Sequence, residues 1–204
     1  MSLPGSYKTI DDGSESLYKS RGSKFYAYCF NVVNDTEIRQ RLDELRKKYP
    51  DATHHCYAYV VGIDKSSHRA NDDGEPTGSA GQPIMRQIQK LDLTNILVVV
   101  VRYFGGTMLG IPGLIEAYGE AAAECLAKCH ISTYQVKEKF EISCPFGMEN
   151  EVYKVCKQLK LDITVKENQQ CFYAELGIPL QDIEIFKNKL KEFYQISVKS
   201  TGIA

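Results

Sequence analysis

One short run of residues constrains the fold more than any other part of this 204-residue chain. Residues 96–101 read Ile-Leu-Val-Val-Val-Val, and such an unbroken aliphatic run is typical of a strand that is covered on both faces. The predicted strand extends from Asn95 to Phe104. Polar and glycine-rich stretches precede and follow it, at residues 72–82 and 105–113. The sequence therefore predicts two glycine-rich loops around one buried strand, at one edge of a domain.

Strands and helices are predicted on both sides of this run. Aromatic and β-branched residues favour strands, whereas apolar residues spaced three to four positions apart favour helices. Asn34 followed by Glu37 is typical of a helix-capping box. Further elements of the first half are predicted as strands at 25–33 and 53–62 and as helices at 35–49, from Pro83, and after Gly113.

Two segments lack such patterns. Residues 1–23 are polar and are expected to form a loosely held arm before the first strand. Residues 64–82 contain scarcely an apolar side chain and are predicted to form a long loop. Loops of that length are commonly functional or disordered, so this one warrants a functional hypothesis.

The last third of the chain restarts with its own pattern. Strand and helix periodicities follow one another in the order βαββαβ, which is typical of a split-βαβ, ferredoxin-like domain. The fold class is therefore predicted as α+β with two domains. The predicted boundaries are an arm at 1–23, a first domain at 24–130 and a ferredoxin-like domain at 131–204.

Composition limits the classes of partner. The chain has 25 Lys+Arg and 26 Asp+Glu residues, a formal net charge of -1, so no general attraction to nucleic acid or anionic membrane is expected. No DNA-reading pattern is evident. The start of the chain has no apolar signal region, and the longest apolar run is too short to cross a bilayer. We expect a cytoplasmic protein without membrane contact, whose seven cysteines are mostly buried, reduced thiols.

The glycine-rich loops permit several chemistries. Each loop opens a helix, and the free NH groups at a helix start attract anions. Standard nucleotide-binding motifs are missing, however, and Arg102 is the only cation in the passage from strand to loop. The acids Asp72, Asp73 and Glu75 favour two alternatives, in which their carboxylates cap the helix start or bind a divalent metal ion.

An enzyme is a further alternative. Either Ser79 or Thr77 would then be the nucleophile, or two of the acids Asp72, Asp73 and Glu75 would form an acid pair. Residues 78–81 do not form a G-x-S-x-G elbow, and spacing alone identifies no base. We therefore assign no catalytic residue, no metal ligand and no cofactor. The glycines also permit a purely structural interpretation, in which they serve tight turns.

The central stretch resembles the Impact/YigZ family. The similarity extends over more than 40 positions, and a strand containing His54 and Tyr59 resembles another segment of that family. The residues that carry it are Asp72-Asp73-Gly74-Glu75-Pro76, Gly78, Ala80-Gly81, Pro83-Ile84, Arg102-Tyr103-Phe104-Gly105-Gly106, Leu109-Gly110, Gly113-Leu114 and Ala117-Tyr118-Gly119.

The resemblance implies both a fold and a role. It covers roughly residues 20–130 as an Impact N-terminal domain and the remainder as a YigZ-type C-terminal domain. It implies folds similar to the second domain of a small-subunit ribosomal protein, to the fourth domain of elongation factor G and to that factor's last domain. Eukaryotic members are implicated in translational control through a protein partner of a stress kinase. The expected partners are thus the ribosome, RNA or a translation-regulator protein.

One departure from the family pattern affects which kind of partner this chain is expected to bind. Met108 and Glu116 occupy positions that are commonly basic in relatives. Loss of both cations weakens RNA binding through this loop, because phosphate neutralisation supplies most nonspecific affinity. A small-molecule or phosphate site in the same loops is the alternative. The predicted binding residues are Asp72, Asp73, Gly74, Glu75, Ser79, Gly81, Arg102, Tyr103, Phe104, Gly105, Gly106, Gly110 and Gly113.

Overall fold

The computed structural model describes residues 3–203. They form two compact units, one comprising residue 3 and residues 7–134, the other residues 4–6 and 135–203. Helices and antiparallel sheets occur in both, which confirms the α+β class. Up to residue 135 the elements are β1 (Ser6–Ile10), β2 (Ser14–Ser20), β3 (Ser23–Asn31), α1 (Asp35–Lys48), β4 (His54–Val61), β5 (Ser67–Asn71), α2 (Gly81–Lys90), β6 (Ile96–Tyr103), α3 (Gly110–Leu126) and β7 (Ile131–Gln135).

The aliphatic run forms the central strand of the first unit. β6 pairs antiparallel with β3 on one side and β4 on the other, in a five-stranded sheet of order β2-β3-β6-β4-β5. Residues 96–101 are fully buried. Val98 and Val100 face a core that includes α2 and α3, whereas Val99 and Val101 face a core that includes α1. The prediction of a strand covered on both faces is confirmed.

The first helix also begins as its sequence predicts. The Asn34 side chain accepts a hydrogen bond from the Glu37 NH at 2.9 Å. The Glu37 carboxylate in turn accepts one from the Val33 NH at 2.9 Å. These reciprocal bonds satisfy NH groups that have no partner inside the helix.

Two predictions were wrong because edge strands carry little apolar pattern. Residues 3–23 do not form a loose arm, since β1 and β2 lie within them and β2 pairs with β3 along its whole length. The first two residues of the predicted arm lie outside the described residues. The predicted loop at 64–82 contains β5, which pairs with β4 at the far edge of the sheet. Both edge strands are held by main-chain hydrogen bonds to one neighbour. Polar sequences such as Ser-His-Arg-Ala-Asn can therefore form them without apolar alternation.

The second unit has the predicted βαββαβ order. Its sheet has four strands, in the spatial order Ser197–Ile203, Lys137–Cys144, Phe172–Pro179 and Ile163–Lys166, with antiparallel pairing throughout. Its core contains Phe140, Ile142, Ala174 and Phe186. A short 3-10 helix (Leu180–Asp182) precedes the last helix. The elements are β8 (Lys137–Cys144), α4 (Glu149–Leu159), β9 (Ile163–Lys166), β10 (Phe172–Pro179), α5 (Ile183–Leu190) and β11 (Ser197–Ile203).

Candidate binding site

Asp72 occupies the start of helix α2. Its carboxylate accepts hydrogen bonds from the NH groups of Gly78 at 2.8 Å, Ala80 at 3.0 Å and Gly81 at 2.8 Å. These are the groups that would otherwise attract an external anion. The capping alternative describes this helix start, because these three NH groups already have the Asp72 carboxylate as their acceptor.

Asp73 and Gly74 form the turn between strand and loop. Asp73 has a φ of +41° and Gly74 a φ of +88°, which is the left-handed region that glycine and aspartate tolerate best. The Asp73 carboxylate accepts a hydrogen bond from the His55 NH at 2.6 Å. Its carbonyl oxygen lies 2.7 Å from Nδ1 of His54. This turn fixes the first end of β4 to the loop.

Glu75 and Arg102 form a buried ion pair. The Oε1 atom of Glu75 lies 2.6 Å from Nη1 of Arg102, and their side chains are only 4% and 7% exposed. The same oxygen accepts a hydrogen bond from the Tyr118 hydroxyl at 2.8 Å. Burial raises the pKa of Tyr118 well above its ordinary value, so Tyr118 remains a hydrogen-bond donor.

The Arg102 guanidinium is enclosed by aromatic rings. Its central carbon lies 5.6 Å from the ring centres of both Phe25 and Phe104, within the range of a cation–π contact. Its Nη2 also lies 3.5 Å from the Ser23 hydroxyl. Arg102 thus contacts Glu75, Ser23 and two aromatic rings, while its Nε atom is buried without a hydrogen-bond partner among the described residues.

The acids do not make an exposed anionic edge. The Asp72 and Glu75 carboxylates bond to the loop and to Arg102, and the exposed Asp73 is engaged by the His55 NH. Glu116 lies exposed on α3, and no such contact is seen for its side chain among the described residues. A local sequence window could not predict this, because the partners come from β4, α2 and β6.

Ser79 lacks the features of a nucleophile. It is fully buried, and its hydroxyl donates a hydrogen bond to the Pro76 carbonyl at 2.6 Å. A catalytic serine needs an accessible oxygen beside a base. Ser79 instead holds the loop that leads into α2, so the structure gives the enzyme alternative no support at this residue.

Close backbone packing explains two of the predicted glycines. A Cβ on Gly105 would lie 1.9 Å from the Gly22 carbonyl carbon, and one on Gly81 would lie 2.5 Å from the Asn71 nitrogen. Glycine allows such close approach because it has no side chain. Gly106 and Gly110 instead have φ values of +86° and +71°, and Gly113 lies in the first turn of α3.

Tyr103 lies apart from the other predicted residues. Its ring packs with Tyr26 and Tyr49 against the core that includes α1. A hydrogen bond to Asp51 raises its pKa to about 12. The structure therefore does not bring Tyr103 together with the loop residues.

An open cleft lies beside the buried ion pair. It has a volume of about 510 Å³, and Arg102 and Glu75 line it together with Leu109 and Leu114. Phe104, Met108 and Ile111 also line it and are 50%, 84% and 53% exposed. Met108 and Ile111 were not among the residues predicted from the sequence, although both line this cleft. Nothing in the local sequence distinguishes these two residues from other exposed apolar residues.

The described residues contain neither a membrane-spanning helix nor a metal-binding cluster. Between residues 3 and 203, no helix combines the length and apolar character needed to span a bilayer. Over the same residues, no group of three or more histidine, cysteine or acidic side chains is arranged to hold a metal ion.

Comparisons with known proteins give matches over most of the chain. The family model described as the Impact N-terminal domain matches residues 21–126. An IMPACT family member from Haemophilus influenzae is 32% identical over 180 residues, which are 87% of this chain and 86% of that protein. The IMPACT family member YigZ from Escherichia coli is 29% identical over 191 residues, 93% of this chain and 92% of that protein. A crystal structure of a hypothetical protein matches 99% of both chains, with 25% identity and a TM-score of 0.70.

Proposed function

The chain belongs to the IMPACT family, and from this premise we propose that it acts in translation by binding a protein partner through the apolar cleft. The cleft is defined by the side chains of Phe104, Met108 and Ile111 around its rim and of Glu75 and Arg102 at its base. Translational control through a protein partner is the role that the family resemblance implies for eukaryotic members. A cytoplasmic location is part of the proposal.

The exposed rim is the observation that carries the proposal. Phe104, Met108 and Ile111 each leave half or more of their surface in water, within eight residues of chain. Aromatic and methionine side chains are enriched at the centres of protein interfaces, and methionine adapts to irregular partner surfaces. Three such side chains around one cleft suit an apolar anchor of a partner protein.

Charge favours protein over RNA at this cleft. RNA binding depends largely on lysine and arginine side chains that neutralise phosphates. Arg102 is paired with Glu75, and the positions that are commonly basic in relatives hold Met108 and Glu116. The cleft thus presents apolar surface above an internally neutralised charge pair.

Co-sedimentation with purified ribosomes tests this function. The full chain is compared with the Met108→Ser/Ile111→Ser double variant at low and at high salt. We expect the variant to bind about tenfold more weakly, a loss of about 1.4 kcal/mol, which is typical of truncating interface anchors. Val33→Ser is the matched control, because Val33 is 54% exposed and does not line the cleft.

The salt dependence of binding distinguishes protein contact from RNA contact. Binding that persists at high salt and depends on Met108 and Ile111 supports protein contact. Binding that falls steeply with salt and ignores the double variant indicates RNA phosphate contact and overturns the proposed cleft. If the full chain binds the ribosome at neither salt concentration, a role that depends on ribosome binding is overturned.

A further inference from the structure

Strand β2 is an open edge of the five-stranded sheet. It pairs with β3 in unbroken register from Ser14 to Ser20 and is the first strand in the sheet order. The strand contains no proline and no bulge, which are two of the features that protect an edge against pairing with a further strand. Its outer main-chain groups therefore have no strand as their partner.

Lys128 shows which main-chain groups of β2 face this open edge. Its Nζ donates a hydrogen bond to the Glu15 carbonyl oxygen at 3.0 Å. Lys128 follows α3 on one face of the sheet, yet it lines a cavity of about 330 Å³ together with Lys48 of α1 on the other face, so its side chain passes around the edge. Because the main-chain direction alternates along a strand, Leu17 and Lys19 present their NH and carbonyl groups to the same edge as Glu15.

Helix α3 lies alongside β2 and runs in the opposite direction. The Ser14 hydroxyl donates a hydrogen bond to the Cys125 carbonyl at 2.8 Å, and the Ser16 hydroxyl donates one to the Ala121 carbonyl at 3.5 Å. Later residues of the strand thus meet earlier residues of the helix. Side chains on the flank of α3 therefore follow the edge of β2 along its length.

Three glutamates form a row on this helix, which we call the acid row: Glu116, Glu120 and Glu124. All three are exposed, and none forms an ion pair with a lysine or an arginine within residues 3–203. Burial raises the pKa of Tyr18 on β2, and the charges of the three glutamates raise it further. The acid row is therefore an uncompensated negative charge beside the open edge.

The spacing of the acid row matches the repeat of a β-strand. Four residues of a helix advance by about 6 Å, and two residues of a strand advance by about 6.7 Å. Every second side chain of a strand that pairs with β2 would thus meet a successive glutamate. The intervening side chains would face the opposite side of the sheet, where Leu17 is 42% exposed. A segment that alternates basic and apolar residues is complementary to both sides.

We propose that the open edge of β2 and the acid row bind an extended, basic segment of a partner protein, which adds a further strand to the sheet. In this mode of recognition, main-chain hydrogen bonds supply affinity and alternate side chains supply specificity. The acid row repels phosphate, so RNA does not suit this edge. None of these residues lines the apolar cleft, so this second surface goes beyond the proposed function.

Binding of two synthetic peptides to the full chain tests the proposal. The probe is fluorescein-labelled Lys-Val-Lys-Val-Lys-Val-Lys, and its control, Lys-Lys-Lys-Lys-Val-Val-Val, has the same composition without the alternation. By fluorescence anisotropy, we expect the alternating peptide to bind several-fold more tightly. Equal affinities would mean that charge alone attracts the peptides, and would overturn the proposal.

Amide hydrogen exchange tests whether the peptide pairs with the strand. We expect exchange at the Leu17 and Lys19 amides to slow several-fold when the alternating peptide is bound to the unaltered chain. Bound peptide without protection of these two amides would overturn strand addition. The Met108→Ser/Ile111→Ser variant should bind the peptide as the unaltered chain does, whereas a loss there would place the peptide in the apolar cleft and overturn this site.

Removal of the acid row tests the charge complementarity. The triple variant Glu116→Gln/Glu120→Gln/Glu124→Gln should bind the alternating peptide several-fold more weakly, and far-UV circular dichroism checks that it is folded. The control removes three exposed acids of the other unit and changes the net charge by the same amount. Its substitutions are Glu167→Gln, Glu184→Gln and Glu192→Gln. Equal weakening in both triple variants, or none in the first, would overturn the role of the acid row.

Discussion

The guanidinium of Arg102 and the carboxylate of Glu75 meet at 2.6 Å in the base of the apolar cleft. Arg102 comes from the last residues of the central strand β6, and Glu75 from the loop that leads into α2. Their contact fixes that loop to the sheet. Since Tyr118 of α3 bonds to the same oxygen, one carboxylate connects the loop, the central strand and a helix.

Removal of the Glu75 carboxylate should destabilise the first unit strongly. We expect Glu75→Ala to lower the free energy of unfolding by about 3–5 kcal/mol, because Arg102 would stay buried without a counter-charge. Urea unfolding measures the loss. Glu44→Ala is the control, since its pair with Arg41 is nearly half exposed and surface pairs contribute little. Equal effects of the two substitutions would count against a stabilising role for the buried pair.

Asp72 should be needed for the start of α2. Asp72→Ala removes the acceptor of three NH groups, and we expect a loss of about 1–3 kcal/mol in the free energy of unfolding. Asp72→Asn keeps one oxygen and should lose less. Amide hydrogen exchange at Gly78, Ala80 and Gly81 should accelerate in Asp72→Ala. Unchanged exchange there would show that other groups hold the helix start.

Gly105 should tolerate no side chain. A Cβ there would overlap the Gly22 backbone at 1.9 Å, so Gly105→Ala must displace one of the two segments. We expect a loss of about 1–3 kcal/mol or more, as for overpacked sites. Gly5→Ala is the matched control, because nothing lies within 4 Å of its added carbon. A thermal melt that is unchanged in Gly105→Ala would contradict the close approach.

Stability should fall on mild acidification because of His55. Burial lowers the pKa of His55 below its ordinary value, so the unfolded chain binds a proton more readily than the folded one. The contribution of His55 is therefore present above about pH 6.5, the unfolded value, and is lost as the pH falls through the lower folded value.

Urea unfolding at pH 7.5 and 5.5 checks this dependence. We expect His55→Gln to lose less stability between these pH values than the unaltered chain does. His68→Gln is the matched control, since His68 is an exposed histidine of the edge strand β5. If the loss of stability between pH 7.5 and 5.5 is the same in all three proteins, a group other than His55 governs the acid response.

Local patterns predicted those elements whose causes are local. The aliphatic run of β6 and the Asn34–Glu37 cap were predicted correctly. A strand that is buried on both faces requires an unbroken apolar run, and a capping box requires particular residue types at fixed spacing. The edge strands β2 and β5 were missed, since main-chain pairing with a neighbour requires no apolar pattern.

The loops at 72–81 and 102–113 meet in the structure through Glu75 and Arg102, whereas their role in binding stays a prediction. The sequence indicated two loops at one edge of a domain but not the contacts between them. It did not reveal that Glu75 points at Arg102 or that Ser79 is buried, because those orientations depend on segments distant in sequence. Met108 and Ile111 were overlooked because exposed apolar residues have no functional signature until a cleft is seen beside them.

The position of β6 has a consequence for synthesis. The strands on either side of it, β3 and β4, emerge from the ribosome long before residues 96–103 do. Until then, the edge of each strand that pairs with β6 in the folded sheet has no hydrogen-bonding partner. Unpaired edges are templates for association with other chains. The nascent chain is thus most exposed to misassembly just before its middle is complete, and the arrival of one short valine-rich segment closes both edges at once.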